Sequence, residues 1–379
     1  MHTEQWCWHA HERWDRPLPA TPDRNIDLLL IFGTTAALDN TELIASLRRS
    51  FPEALLFGCS SAGEIHDVRV YDHTLVATAV SFETTRIHGE KVSLAEGLSS
   101  RRAGQDLARA LTADDLAHVL VLSDGLNVNG SELIAGLLET LPQGVSLSGG
   151  LASDAENLGH TLVLFDDTTA RRHVGAVGLY GDRLRVGSGS LGGWDPFGPE
   201  RKITRSDGNV LYELDGQPAL DLYKKYLGER AAELPESALL FPLSLHNKEG
   251  VRGLVRTVLA IDEEAGSLIF AGDVPEGARA KLMKANFERL IDGAMGAARI
   301  STSTSTETTP ALALLISCVG RKLVLQQRIE EEVEAVRDVL GERPALTGFY
   351  SLGEISPFTP DGRCELHNQT MTVTTFAEA

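Results

Sequence analysis

The sequence predicts an α/β protein built from duplicated strand–helix–strand units with mixed sheets, arranged in two domains. Three observations carry that prediction. Residues 120–154 (LVLSDGLNVNGSELIAGLLETLPQGVSLSGGLASD) align without a gap on residues 30–64 (LIFGTTAALDNTELIASLRRSFPEALLFGCSSAGE). Strand, helix start, helix stop and post-strand turn all agree, the mark of an internal duplication. A looser third version closes the chain, with a strand at Leu312–Cys318, a helix at Val324–Leu340 and a returning strand at Leu346–Tyr350. A chain of 379 residues also exceeds the usual size of one domain.

Taken in order, residues 1–24 form an N-terminal extension carrying Trp6, Trp8, Trp14 and a Cys7/His9/His11 cluster whose spacing fits no zinc template. Leu28–Phe32 is a continuous apolar run ended by Gly33, as in a strand buried on both faces. Asn40-Thr41-Glu42 opens a helix with Leu43, Ile44, Leu47 and Phe51 on one face, and Pro52 ends it. Leu55–Phe57 returns as a strand into the turn GCSSAGEI, Gly58–Ile65. A strand at Leu75–Phe82 and a helix at Ser99–Leu111 lead to the second copy, in which Ala152 aligns on Ala62 and Asp154 lies opposite Glu64. Strands follow near Thr161–Phe165, Val174–Tyr180 and Leu184–Gly187. Three glycines and two prolines make Ser190–Glu200 a long loop, and Asp215–Leu227 reads as a helix with Pro218 in its first turn.

The domains divide into 25–225 and 226–379. The second holds strands at Leu239–Leu245, Leu254–Ile261 and Ser267–Ala271, a helix at Gly277–Ala298 and a polar connector at Ser301–Thr309. The turn GFYSLGEI, Gly348–Ile355, echoes the first, and Cys364–Phe376 closes the sheet. Glu330–Glu334 reads as a solvated helix face.

A formal charge of −18 argues against nucleic acid or an anionic membrane as the main partner, since both are polyanions. The four cysteines are dispersed, without a CxxC pair, so neither a zinc framework nor a disulfide scaffold is indicated. No signal-peptide pattern opens the chain and no apolar run is long enough to span a bilayer, so the expected location is cytoplasmic, without membrane insertion. The sequence contains no GxSxG elbow, HExxH, Walker loop or Rossmann glycine set. The expectation is therefore a protein that is not an enzyme, although a triad dispersed along the chain stays open.

Glycine-bracketed turns after strands let backbone approach a small molecule and offer it N–H and hydroxyl groups. The candidate ligand-binding residues are Ser60, Ser61 and Glu64 in the first turn, Ser148, Gly149 and Gly150 in the second, and Ser351 and Glu354 in the third. A glutamate there suits a cationic group. Arg321, after the third repeat's first strand, suits a carboxylate, and Trp194 in the Gly/Pro loop suits a cover. Each also has a structural reading as turn geometry, a surface arginine or a core plug.

Several of these segments, with SLGGWDPFGPERKITRSDGNVLYELDGQPAL, SCVGRKLVLQQR and CELHNQTMTV, occur in the order seen in FIST proteins. The chain resembles that family over residues 25–376, with 25–225 as the FIST N-terminal and 226–379 as the FIST C-terminal domain. The resemblance implies a sensory module for small, amino-acid-like ligands. It implies a signalling partner in trans, a histidine kinase or a cyclic-di-GMP enzyme, because no such region is present here. One branch, the NosP proteins, senses nitric oxide through haem, and His66 and His367 are the histidines nearest the matched motifs. A scaffold that binds no ligand is the third reading.

Overall fold

The computed structural model describes residues 1–10, 13–94, 97–154, 159–246, 252–303, 308–357 and 362–379. Three sheets repeat one strand order. Each is built on two parallel neighbours joined by a crossover helix: Leu28–Gly33 with Leu55–Ser60, Leu116–Ser123 with Ser146–Leu151, and Leu312–Cys318 with Ala345–Ser351. A third strand then runs antiparallel to the first of each pair: Thr74–Ser81, His173–Tyr180 and Met371–Glu378. A fourth pairs antiparallel beside it: His2–His9, Arg86–Ser93 and Leu184–Leu191.

The sheets are laced together by exchanged edges. After its second strand each repeat bends sharply, and the next hairpin joins the neighbouring sheet. The first repeat gives Glu64–His66 and Arg69–Tyr71 to the third sheet, beside Ala345–Ser351. The second gives Val163–Phe165 and Thr168–Ala170 to the first sheet, and the third gives Gly353–Pro357 and Cys364–His367 to the second. The exchange is cyclic, so no repeat completes its sheet alone.

Alternation along the strands divides the core. Leu30, Phe32 and Phe57 of the first sheet meet Leu120, Leu122 and Val177 of the second and Leu314, Ile316 and Phe349 of the third. Phe32 stacks on Phe349 with ring centroids 4.7 Å apart. The intervening residues face outward under helices: Leu29 and Ile31 pack on Leu43 and Leu47, Val119 and Val121 on Leu133 and Leu137, and Leu315 on Val333 and Val336. Strands buried on both faces are why the sequence shows unbroken apolar runs there. Asn40 Oδ1 accepts the Leu43 N–H and Asn129 Oδ1 the Glu132 N–H, both at 3.1 Å, fixing the starts of the first two crossover helices. No helix among the described residues is long and apolar enough to cross a membrane.

Several expectations change. His2–His9 is the fourth strand of the first sheet, equivalent to Arg86–Ser93, so this part of the N-terminal segment belongs to the sheet rather than to an extension. The 225/226 boundary falls inside the helix Ala219–Leu227. Strands from both sides of it, including Asp195–Asp207 and Arg279–Lys284, share one eight-stranded sheet inserted between Leu184–Leu191 and the helix Phe287–Thr302. The stretch Gly277–Ala298 is not one helix. Ala280 and Leu282 alternate into the inserted sheet's core, and Asn286 then caps a helix that begins at Phe287. Leu254–Ile261 is two strands, Arg252–Arg256 and Val258–Asp262. Leu239–Leu245 straddles a short 3-10 turn and a strand from Leu243, and the Ser190–Glu200 loop becomes a strand at Asp195. The third helix is broken at Gln326, whose φ is +48°, into Val319–Leu325 and Ile329–Leu340.

The ungapped match of the first two repeats slips by one residue. Ile31 pairs with Gly58, and the equivalent Val121 pairs with Gly149, not Ser148. Gly144, at φ +91°, is the added residue in the turn after the second helix.

Candidate functional site

The three bends meet at one place and close on one another. The Ala62 N–H donates to the Tyr350 carbonyl at 3.2 Å, the Ser153 N–H to the Ser60 carbonyl at 3.0 Å, and the Leu352 N–H to the Leu151 carbonyl at 3.3 Å. Each repeat thus donates to another, and the ring returns to its start. A close backbone approach at equivalent glycines lets the strands converge: a Cβ on Gly58, Gly149 or Gly348 would lie 1.8, 1.8 or 1.7 Å from the facing carbonyl oxygen of Ile31, Val121 or Leu315.

The candidate side chains at this junction are fully buried. Ser60 Oγ accepts the Leu162 N–H at 2.9 Å. Ser61 donates to Glu64 Oε1, while Glu64 Oε2 takes the Thr74 N–H at 3.3 Å and the Thr74 hydroxyl at 2.6 Å. The third bend repeats this: Ser351 Oγ donates to Glu354 Oε1 at 2.6 Å, and Thr370 gives Oε2 its N–H at 3.2 Å and its hydroxyl at 2.9 Å. Burial raises the Glu64 carboxyl to about 7 and that of Glu354 to about 8, against the pull of these donors. Both glutamates tie a bend to the start of a third strand. In the second repeat the position paired with this strand register is Val163, so Asp154 is not the counterpart of Glu64; it accepts instead from Thr35 Oγ1.

The remaining candidates are dispersed. Ser148 lies in the core, its Oγ 2.9 Å from His118 Nε2. Burial lowers His118 to about 3. Gly150 packs under Ile316 and Phe349. Trp194 is a plug rather than a cover: it is 8% exposed, packs with Val255, Met283 and Leu290, and donates Nε1 to the Gln369 carbonyl at 2.8 Å. Arg321 is not a surface clamp. It is fully buried against Glu332, with Nε and Nη2 3.0 and 2.7 Å from Oε2, and it also donates to the carbonyls of Gly192 and Leu290. Glu332 is therefore no part of a solvated acidic face, and its neighbours Glu330 and Glu331 bond Arg69 and Arg328.

Of the two haem-ligand candidates, His367 is buried and shares a hydrogen bond of 2.9 Å with the Ser356 carbonyl, and burial lowers it to about 4. His66 is half-buried beside the Tyr71 ring, lowered chiefly by burial. Neither histidine is among the lining residues of the pockets bordered by Leu38 and Ile44, by Ile134 and Leu254, or by Ile26 and Phe51. In the N-terminal cluster, Cys7 is buried, His9 meets Tyr71 edge-on at 5.4 Å, and His11 lies outside the described residues.

A site that sequence reasoning missed lies where the inserted sheet meets the second repeat. The helix Gly130–Thr140, the strand Cys364–His367 and the inserted sheet border an open pocket of about 240 Å³. Arg256 and Asp273 enter from the inserted sheet, Ser131 from the helix, and Arg363 and Glu365 from the exchanged hairpin. Arg256 is 3% exposed, and burial lowers it to about 10, so it stays charged at neutral pH. Glu365 is raised by partial burial, with Arg256 and Arg363 pulling the other way. The signal in the sequence was one arginine inside the otherwise apolar run LVRTVLAI, residues 254–261.

The FIST N domain family model matches residues 27–217 and the FIST C domain model residues 219–357. An uncharacterized protein of Mycobacterium tuberculosis is 27% identical over 385 residues, covering 98% of this chain and 94% of its own length. An uncharacterized protein of Methanocaldococcus jannaschii is 23% identical, covering 81% of this chain and 63% of its own length. A solved cyanuric acid hydrolase from A. caulinodans covers 78% of this chain at 8% identity, with a TM-score of 0.18, too low to bear on fold or function.

Proposed function

The chain belongs to the FIST family of signal-transduction sensor domains, and on that footing we propose that it binds a small, amino-acid-like ligand and passes occupancy to a separate signalling protein. A histidine kinase or a cyclic-di-GMP enzyme acting in trans is the partner class, and the chain itself performs no catalysis. The observation that supports this reading is the pocket between the inserted sheet and the three-repeat core, lined by charges of both signs over apolar walls. A ligand there touches two units that are otherwise joined at a seam, so binding alters how firmly one sits on the other.

The bends themselves are not the ligand site in this reading. Their polar groups are already paired across the ring, leaving a rigid hub around which the repeats are held. The test is a thermal-shift screen of the full chain with the twenty amino acids. A ligand that binds only the native state raises the melting temperature with concentration. A rise for a subset of amino acids is expected, and no rise for any of them rejects the reading. A Soret band on haem addition that shifts with nitric oxide would replace it with the haem-sensor alternative.

A further inference from the structure

Two buried arginines in this protein stand in contrast. Arg321 is neutralised by Glu332. Among the described residues the hydrogen bonds of Arg256 go to main-chain carbonyls: Nε donates to Asp273 O at 3.0 Å, and Nη1 to Leu366 O at 2.8 Å and Val255 O at 3.4 Å. Among the described residues no carboxylate forms an ion pair with it, and its Nη2 has no hydrogen-bond partner. The Asp273, Glu365 and Glu354 carboxylates act on it only through space, without the direct ion pair that a buried guanidinium normally makes. The local structure nonetheless makes room for it. A Cβ at Gly272 would come within 3.0 Å of Arg256 Nε and 3.1 Å of its Cζ.

Ser131 lines the wall opposite the inserted sheet, with its own Oγ closed off from solvent. Arg256, with its unpaired Nη2, thus lines a pocket of about 240 Å³ that also holds the Asp273 and Glu365 carboxylates. Pockets for drug-sized ligands run from about 300 to 1,000 Å³, so this one suits a smaller metabolite.

We propose that this pocket is a binding site for a small organic carboxylate, anchored by Arg256 through Nη2. The inference rests on the sensor reading above and supplies its site. Asp273 and Glu365 line the same pocket, so a ligand with one carboxylate and a cationic or donor group at its far end fits better than a dicarboxylate. Ile134, Leu138 and Leu254 leave an apolar wall for whatever lies between. Because Arg256 belongs to the insert while Ile134 and Leu138 belong to the second repeat, the bound ligand would bridge the two units.

The experiment is a thermal-shift titration of the full chain with L-alanine, propionate and ethylamine, repeated on Arg256→Gln and Leu138→Trp. The tryptophan fills the pocket without altering the guanidinium. Wild type should be stabilised by L-alanine and more weakly by propionate, but not by ethylamine. Both variants should weaken that binding by about tenfold or more. Should Arg256→Gln fail to fold, the Leu138→Trp result decides alone. Equal shifts in wild type and in the folded variants place the ligand elsewhere, which overturns the Arg256 site and leaves the sensor reading standing. If neither the three probes nor any of the twenty amino acids stabilises wild type, both fall together.

Discussion

Truncating Arg321 to alanine should unfold the protein rather than weaken ligand binding. Arg321 and Glu332 are both fully buried, and Glu332 Oε1 also accepts from Ser317 Oγ at 3.0 Å and Tyr350 Oη at 2.7 Å. Alanine removes the cation and leaves the Glu332 carboxylate in a site with two neutral donors. It also strands the Gly192 and Leu290 carbonyls, which tie the start of the insert and the helix Phe287–Thr302 to the third repeat. Breaking a buried ion pair from one side costs about 3–5 kcal/mol, and each stranded carbonyl adds about 1 kcal/mol. The sum is a large part of the roughly 5–15 kcal/mol by which domains are stable. Urea unfolding followed by far-UV circular dichroism measures it. Replacing both partners, Arg321→Met with Glu332→Leu, should recover most of the loss because no charge is left unpaired. An Arg321→Ala variant within about 1 kcal/mol of wild type would refute the reasoning.

Three further outcomes follow from the junction of bends and from the packed Trp194 ring. The Glu64 and Glu354 carboxyls, raised from 4.5 to about 7 and about 8, bind protons in the native state that the unfolded chain has released. Their contribution is therefore fully present below pH 4.5 and is lost as pH rises through 7–8, by a few kcal/mol in all. Denaturation at pH 5 and pH 9 should show Glu64→Gln and Glu354→Gln gaining stability relative to wild type at the higher pH, and a pH-independent difference would contradict this. Gly149→Ala places a methyl 1.8 Å from the Val121 carbonyl oxygen at φ +151° and should cost more than about 3 kcal/mol, read as a drop in melting temperature. Trp194→Phe removes one hydrogen bond from a packed ring and should cost about 1 kcal/mol without changing ligand affinity.

The parallel pairs and their crossover helices were legible because their signals are local. An apolar run, an Asn cap and a proline stop lie within thirty-five residues of one another. The exchange of hairpins was not. Glu64–His66 and Val163–Phe165 are three-residue strands, too short for a period, and Thr347 finds its partner His66 far away in the chain. The tryptophan-rich start read as an extension because its aromatic residues suggest packing and not pairing. Trp6 does pack, against Phe51 at 5.3 Å and under Arg16, but it does so from within a sheet.

The site followed the same division. The sequence marked the bends by their glycines and serines, with a glutamate in the first and third, and the structure joins the three bends in one ring. What the letters could not show is that the polar groups there satisfy each other. Ser61 with Glu64 and Ser351 with Glu354 are spaced i, i+3, which suits both a ligand cradle and an internal staple. Arg321 and Arg256 present the converse. Both are single arginines near apolar stretches, and only the fold reveals that one has a glutamate eleven positions on while the other meets carbonyls.

Hydrogen exchange on the full chain, with and without the amino acid that stabilises it most, tests the account most directly. Slowed exchange should be confined to the pocket walls, residues 130–138, 254–257 and 363–367, with the bends at 60–64 and 351–354 already protected and unchanged. Ligand-dependent protection at the bends, with none along the seam, would contradict it.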